Sequence, residues 1–197
     1  MIGIGARLKM MRKARQKSQQ NLADLAGVSK MAISKYERDM DMPGSDVLLR
    51  LAAALETTIE SLLRSTSVIF EIKTFRKHPS LSDHAADAIG AQVQEWLERY
   101  LMIERMVPDA ELSADLPVGE YAVSSWDDIE AAAKNLRKRW QLGTDPIDNL
   151  MSLLEDKGIK ICLISGHESF DACTFEVEDC HVIAVKAGIP GDRQRFD

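Results

Sequence analysis

Apolar positions along the first third of the chain recur at helical spacing in short bursts, each closed by a breaker. Ile4, Leu8 and Met11 share one face of "IGARLKMMRKAR", and basic side chains occupy the rest. Ser18 stands where an N-cap belongs, ahead of "QQNLADLAG", whose Leu22, Ala23, Leu25 and Ala26 face inward. Gly27 offers a left-handed turn, and Ser29 caps a third burst, "KMAISKYER". After Pro43 and Gly44, Ser45 opens "DVLLRLAAALE", and Thr57 with Glu60 reads as a capping box for "IESLLR". The pattern predicts an all-α N-terminal domain of five helices over residues 1–66.

The period then changes. "VIFEIKTF", at residues 68–75, alternates as a strand does. "LSDHAADAIGAQVQEWLERYLMIERMV" returns to helical spacing, with Ile89, Val93, Trp96, Leu97, Tyr100, Leu101 and Ile103 in phase before Pro108 interrupts it. Its apolar face suits intramolecular core, with domain packing or dimerisation as the other use. Ser125 starts "WDDIEAAAKNLRKRW", acidic first and basic last, as the helix macrodipole favours. Asp145 and Pro146 read as an N-cap and first helical residue for "IDNLMSLLEDK", closed by Gly158. Three strand-like runs follow, "IKICLI", "DACTFEV" and "HVIAVK". Residues 67–197 therefore predict an α+β domain with one long helix and a small sheet.

Charge separates the same two regions. The chain carries -6 overall, yet residues 1–64 hold 11 Lys and Arg against 7 Asp and Glu, and the remainder holds 14 against 24. A basic head on an acidic body points to an anionic partner for the head alone. No apolar run reaches the roughly 18 residues that span a bilayer, and the N-terminus lacks a signal-peptide pattern. Three cysteines (Cys162, Cys173 and Cys180) without CxxC spacing fit free thiols in a cytoplasmic setting.

The bursts at 19–26 and 30–38 carry the head's chemistry. Two short helices joined through "AGVS", with a small residue at their contact and glycine in the turn, form a helix-turn-helix. Residues 4–63 resemble the phage-repressor-like (Cro/C1, or XRE) DNA-binding family at Leu8, Arg12, Ser18, Gln19, Leu22, Ala23, Gly27, Val28, Ile33, Glu37 and Pro43. The resemblance implies that the second helix of the pair enters the major groove of double-stranded DNA. It assigns the interface to Gln19, Ser29, Lys30, Met31, Ser34, Lys35 and Arg38, with the basic residues of the first helix on phosphates. Ile33 and Tyr36 belong to the core, and Arg12 with Glu37 forms a structural ion pair. Met31 can offer only apolar contact, to thymine methyls or within the fold. Many relatives have Glu-Arg-Gly where this chain has Glu37-Arg38-Asp39; Asp39 is expected to put a negative charge near the DNA backbone.

In the body, Pro146, Ile147, Asn149, Leu150, Leu153, Leu154, Glu155, Gly158 and Ile159, then Phe170, Asp171 and Ala172, then Asp192, Arg193, Gln194, Arg195 and Phe196 resemble the ImmA/IrrE family of zinc metallopeptidase-like domains. In that family a HExxH zinc motif follows the "DRQRF" stretch within a few residues. This chain contains no HExxH and ends at Asp197, so the expectation is a fragment or truncation of a longer protein. Its four histidines, at 78, 84, 167 and 181, make no metal-ligand pattern. Cys162 and Cys173 are expected to sit near each other across strands as buried thiols.

The reading is thus a non-enzymatic, sequence-specific double-stranded DNA-binding regulator, without cofactor and acting as a homodimer on a pseudo-palindrome. A protein partner of the C-terminal domain is the further expectation. The alternative is part of a zinc metallopeptidase that cleaves a repressor or antitoxin-type partner, its zinc site lying beyond residue 197. A protein-docking head that no longer reads DNA is the third reading.

Overall fold

The computed structural model describes residues 4–64, 71–77, 81–107, 116–117, 121–177 and 180–188, with 71–77 described for the backbone alone. Helices α1 (Gly5–Ala14), α2 (Gln19–Ala26), α3 (Lys30–Tyr36), α4 (Ser45–Ala54) and α5 (Ile59–Leu63) build the head. Strand β1 (Glu71–Lys77), helices α6 (Asp83–Glu104), α7 (Trp126–Arg139) and α8 (Leu150–Asp156), and strands β2 (Ile159–Ile164), β3 (Phe170–Val177) and β4 (Cys180–Lys186) build the body.

The head closes around Leu8, Met11, Leu22, Ala23, Ile33, Leu51, Leu55 and Leu62, all fully buried. Its helix starts follow short-range polar chemistry. Ser18 Oγ accepts from Asn21 N at 3.0 Å, and Ser29 Oγ accepts from Ala32 N at 3.1 Å, so both expected caps form. The expected Thr57–Glu60 box does not form. Thr58 is the N-cap of α5 and accepts from Ser61 N at 3.1 Å, because the chain becomes helical one residue later than the spacing suggested. Gly44, not a polar side chain, precedes α4, with Ser45 as its first residue.

In the body, the sheet order is β1-β3-β4-β2. β3 runs antiparallel to β1 and β4, and β2 lies parallel to β4. Strand β1 covers Glu71–Lys77, two residues past the expected end, while residues 68–70 of the expected run lie outside the described residues. One sheet face, with Cys162, Ile164, Cys173, Phe175, Val177, Val182 and Ala184, packs with Ile89, Val93 and Leu97 of α6. Asp145 and Pro146 do not open α8. Its N-cap is Asn149, whose Oδ1 accepts from Ser152 N at 3.0 Å, and residues 145–148 lie outside the helix. Asn149 can close this cap through its own side chain, while proline at 146 only fixes φ. α7 begins with a full capping box between Ser125 and Asp128. Hydrogen bonds from the backbone and hydroxyl of Ser124 and from Ser125 hold the Asp128 carboxyl down at about 2. That depression contributes to α7 above the ordinary carboxylate range and is lost only as pH falls toward about 2.

Cys162 and Cys173 share the α6-facing side of the sheet but are not direct cross-strand partners: both register on Ala184 of the strand between them. Burial pushes both thiols up to about 12, and the neighbouring Cys162 adds to the reluctance of Cys173 to ionise. The thiolate is the reactive form, so a thiol reagent at about pH 8 is expected to label half-buried Cys180 first. Cys162 and Cys173 should react only after denaturant is added. Mass spectrometry of the labelled native chain checks this; rapid native labelling at all three sites would contradict the packing.

α6 is the spine of the chain. Its sheet-facing stripe is apolar, while Ala91 enters the core of the head and Glu95 and Glu98 are buried against α1. Arg7, itself 2% exposed, pairs with Glu98 and donates from Nε to Ser61 O at 3.0 Å. Arg15 pairs with Glu95, which Arg99 also reaches. Lys13 meets Asp87 at 2.5 Å, and Gln92 Nε2 donates to Ala14 O at 2.9 Å. The long helix thus serves both as core for the sheet and, of its other expected uses, as domain packing against the head of its own chain.

Candidate nucleic-acid interface

The helix-turn-helix pair is set by three local decisions. Gly27 takes φ 64, the left-handed conformation that glycine adopts without a Cβ penalty. Val28 N then donates back to Ala23 O at 3.0 Å, closing α2 and turning the chain into Ser29. Ile33 and Tyr36 anchor α3 in the core, as expected of them.

With those positions buried, α3 turns a continuous stripe to solvent. Lys30, Met31, Lys35 and Arg38 are exposed and Ser34 is half-buried. The positions 30, 31, 34, 35 and 38 follow helical spacing on the side opposite Ile33, Tyr36 and Glu37. Met31 is 69% exposed, which removes packing within the chain as its role. Arg38 donates from Nε to Ser34 O at 3.0 Å, which holds its guanidinium along the end of the helix. Ser29 is exposed as well, and its hydroxyl, which accepts the capping bond of α3, keeps its own proton to donate.

Glu37 organises the rim of this surface. Its carboxylate is buried and accepts from Arg12 Nε at 2.5 Å and Arg12 Nη2 at 3.0 Å, a bidentate pair between α1 and the end of α3. The same carboxylate accepts from Gln19 Nε2 at 2.8 Å. Gln19 is therefore held at the start of α2 through one N–H of its amide, which keeps a second N–H to donate. The Arg12–Glu37 brace was readable from the sequence. The grip on Gln19 was not, since nothing in the spacing of residues 19 and 37 shows that their side chains meet.

Two expectations about charge are corrected. Most basic residues on or beside α1 are not open to phosphate: Arg7, Arg12, Lys13 and Arg15 are paired with Glu98, Glu37, Asp87 and Glu95, while Lys9 is exposed. Amphipathic spacing marked these cations as the polar side of α1, but α6 meets Arg7, Lys13 and Arg15 with carboxylates and the end of α3 meets Arg12 with Glu37. Asp39, expected to repel the DNA backbone, is also engaged. It sits at φ 54, and its Oδ1 accepts from Gly5 N at 2.7 Å. Ile4, at the N-cap position of α1, cannot cap it, so Asp39 does so from the end of α3. Gly5 is required here, since a Cβ would lie 2.5 Å from Tyr36 O. Changing Asp39 to alanine is expected to lower stability by about 1–2 kcal/mol, through loss of the cap and the unfavourable φ. Asp39→Gly keeps the φ and should lose less. Equilibrium urea unfolding of both variants orders them; alanine equal to wild type would remove the cap from the account.

Elsewhere, His167 is buried where the β2–β3 turn meets the end of α1, with its Nε2 3.4 Å from Gln16 Nε2. Burial lowers its pKa. Among the described residues no group of three or more His, Cys, Asp and Glu side chains could hold a metal ion. His78 and the stretch Asp192–Phe196 lie outside the described residues. No described helix is long and apolar enough to cross a membrane.

Residues 8–62 match the family model of the helix-turn-helix HTH_3. No curated protein matches the chain. Among solved structures, the P22 c2 repressor in complex with a synthetic operator is 34% identical over 32% of this chain and 97% of that chain, with a TM-score of 0.31. The N-terminal DNA-binding domain of SinR from Bacillus subtilis is also 34% identical, over 32% of this chain and 94% of its own, with a TM-score of 0.31. The restriction-modification controller protein C.AhdI from Aeromonas hydrophila is 31% identical over 32% and 94%, again with a TM-score of 0.31. These likenesses lie in about a third of the chain, and their TM-scores are below those of a shared whole-chain fold.

Proposed function

With a helix-turn-helix domain at residues 8–62 as the premise, we propose that the chain is a sequence-reading double-stranded DNA-binding protein, a transcriptional regulator of the phage-repressor-like (XRE) kind. The observation that carries this is the outward stripe of α3, where Lys30, Met31, Ser34, Lys35 and Arg38 stand clear of the core beside a Gln19 fixed by Glu37. A helix of this width fits the major groove. Lys30 and Lys35 supply donors for guanine O6 and N7, Met31 an apolar contact for a thymine methyl, and Arg38 and Gln19 contacts to flanking phosphates. One such stripe reads only a few base pairs, so two copies on half-sites about one helical turn apart give a usable address.

The body enters this function through α6. Since α1 is clasped by Glu95, Glu98 and Asp87, the reading head is held on the acidic body and not strung from it. A ligand or protein partner of the body thus has a direct mechanical path to the head. Selection from a random duplex pool with the full chain tests the reading. The expected result is an enriched inverted repeat; a pool that stays random after repeated rounds would defeat it.

A further inference from the structure

We propose that Met31 is an oxidation site, where a peroxide converts the thioether within the α3 stripe to a sulfoxide and thereby weakens DNA reading. Its consequence rests on the DNA reading of α3; the oxidation itself does not. Of the nine methionines in the chain, three stand exposed on or just past α3: Met31 at 69%, Met40 at 64% and Met42 at 60%. Met10 and Met11, by contrast, are buried in the head, out of reach of an aqueous oxidant. Met102 and Met106 are also open, but they belong to the end of α6 and the residues just beyond it. Of these exposed side chains, Met31 alone lies within the stripe of Lys30, Ser34, Lys35 and Arg38.

The thiols are poor competitors for the oxidant. Cys162 and Cys173 are buried in the sheet and stay protonated up to about 12, whereas the thiolate is the form that a peroxide attacks. Cys180 is half-buried on β4. A thioether has no proton to lose and reacts as it stands at any ordinary pH. Its sulfur lone pair attacks one oxygen of the peroxide, and the S–O bond forms as the O–O bond breaks. The proton on the transferred oxygen passes to the leaving hydroxide, which departs as water. Sulfur gives up two electrons and the peroxide takes them, so one thioether and one hydrogen peroxide become one sulfoxide and one water.

The product changes what the stripe offers a duplex. Reduced Met31 presents a flexible apolar surface suited to a thymine methyl. The sulfoxide presents a polar, chiral group in the same place. Pressed on a methyl, its oxygen loses water and gains no donor, which is the cost of an unpaired buried acceptor. Its other choice is Lys35, one helical turn on, whose ammonium it then draws away from the duplex. Either course weakens the complex. The converse also holds: a duplex seated on α3 covers Met31, so oxidation strikes the free chain. Met40 and Met42 play a different part. Met40 N closes α3 by donating to Lys35 O at 2.9 Å, and Met42 N donates to Asp41 Oδ1 at 2.9 Å. Both bonds use backbone groups, which oxidation at sulfur leaves as they are.

The test is hydrogen peroxide treatment of the full chain, followed by mass spectrometry and by fluorescence anisotropy on the selected duplex and on random duplex. Met31, Met40 and Met42 should gain oxygen well before Met10 and Met11. Affinity for the selected duplex should fall about tenfold, the size of one unpaired polar group, and that for random duplex should change less. The two sulfoxide reductases, one for each epimer, should restore it. Met31→Leu keeps an apolar side chain at an exposed site; it should bind before treatment and stay insensitive after it. Met40→Leu with Met42→Leu, and separately Cys180→Ser, should lose affinity on treatment as the parent does. The selected duplex, added first, should shield Met31 from oxygen and leave Met106 open. The proposal is overturned by an oxidised Met31 with affinity unchanged, by a Met31→Leu chain as sensitive as the parent, or by sensitivity that disappears with Cys180→Ser. An untreated chain that binds no duplex defeats the DNA reading and this proposal with it. A chain that binds when untreated and fails only these comparisons leaves the DNA reading standing.

Discussion

Replacing Glu98 with glutamine is expected to destabilise the folded chain by about 3–5 kcal/mol, the range for breaking one half of a buried ion pair. Both side chains are 2% exposed. The guanidinium of Arg7 stays charged at any working pH even though burial lowers its pKa. Glutamine keeps the shape of residue 98 but removes the carboxylate paired with Arg7, which leaves it the field of Glu95 alone. Ser61 O remains as an acceptor for one N–H, which does not replace a carboxylate. With a urea slope of about 1–3 kcal/mol per M, the midpoint should fall by more than about 1 M. The double change Arg7→Met with Glu98→Leu removes both charges and should recover most of the loss, as apolar replacements of buried pairs often do. Glu95→Gln should cost less, since Arg15 is 20% and Arg99 57% exposed and water can solvate what is left. A Glu98→Gln loss within the surface range, below about 1 kcal/mol, would mean that α1 and α6 are not closed on each other in solution.

This pair also separates what the sequence could show from what it could not. Helical spacing placed the head helices, and the serine caps at 18 and 29 fell where hydroxyls precede apolar runs, because capping is a local matter of three residues. The long helix was legible for the same reason. Boundaries with more than one polar candidate slipped: Thr58 took the place of Thr57, and Asn149 that of Asp145. In the candidate interface, the outward stripe of α3 followed directly from burying Ile33 and Tyr36. What stayed hidden were contacts between residues far apart in sequence. Arg7 with Glu98, Arg15 with Glu95 and Gly5 with Asp39 are non-local, and no period encodes them. Net charge misled for the same reason. The 11 basic residues of the head predict an open cationic face only until five of them are seen to be paired. The cations of α3 are a smaller set, and more of the recognition rests on them.

Changing Lys30 and Lys35 together to alanine should therefore weaken binding to the selected duplex well beyond tenfold. A good base contact is worth about 1–3 kcal/mol, and about 1.4 kcal/mol is a factor of ten. Both side chains are exposed, so stability should stay within about 0.5 kcal/mol of the parent. A fall in affinity then belongs to the interface and not to unfolding. Salt dependence tells base reading from phosphate neutralisation. Each phosphate that a side chain no longer neutralises lowers the slope of log affinity against log salt by about 0.9. If the lysines read base edges, affinity for the selected site falls while binding to random duplex changes little. If they neutralise phosphates, selected and random duplexes lose affinity together and the slope drops by roughly two. Fluorescence anisotropy on both duplexes at several salt concentrations distinguishes these outcomes. Affinity and slope unchanged on both would take α3 out of DNA recognition. The exposed stripe of Lys30, Met31, Ser34, Lys35 and Arg38 would then have to be a protein-docking surface.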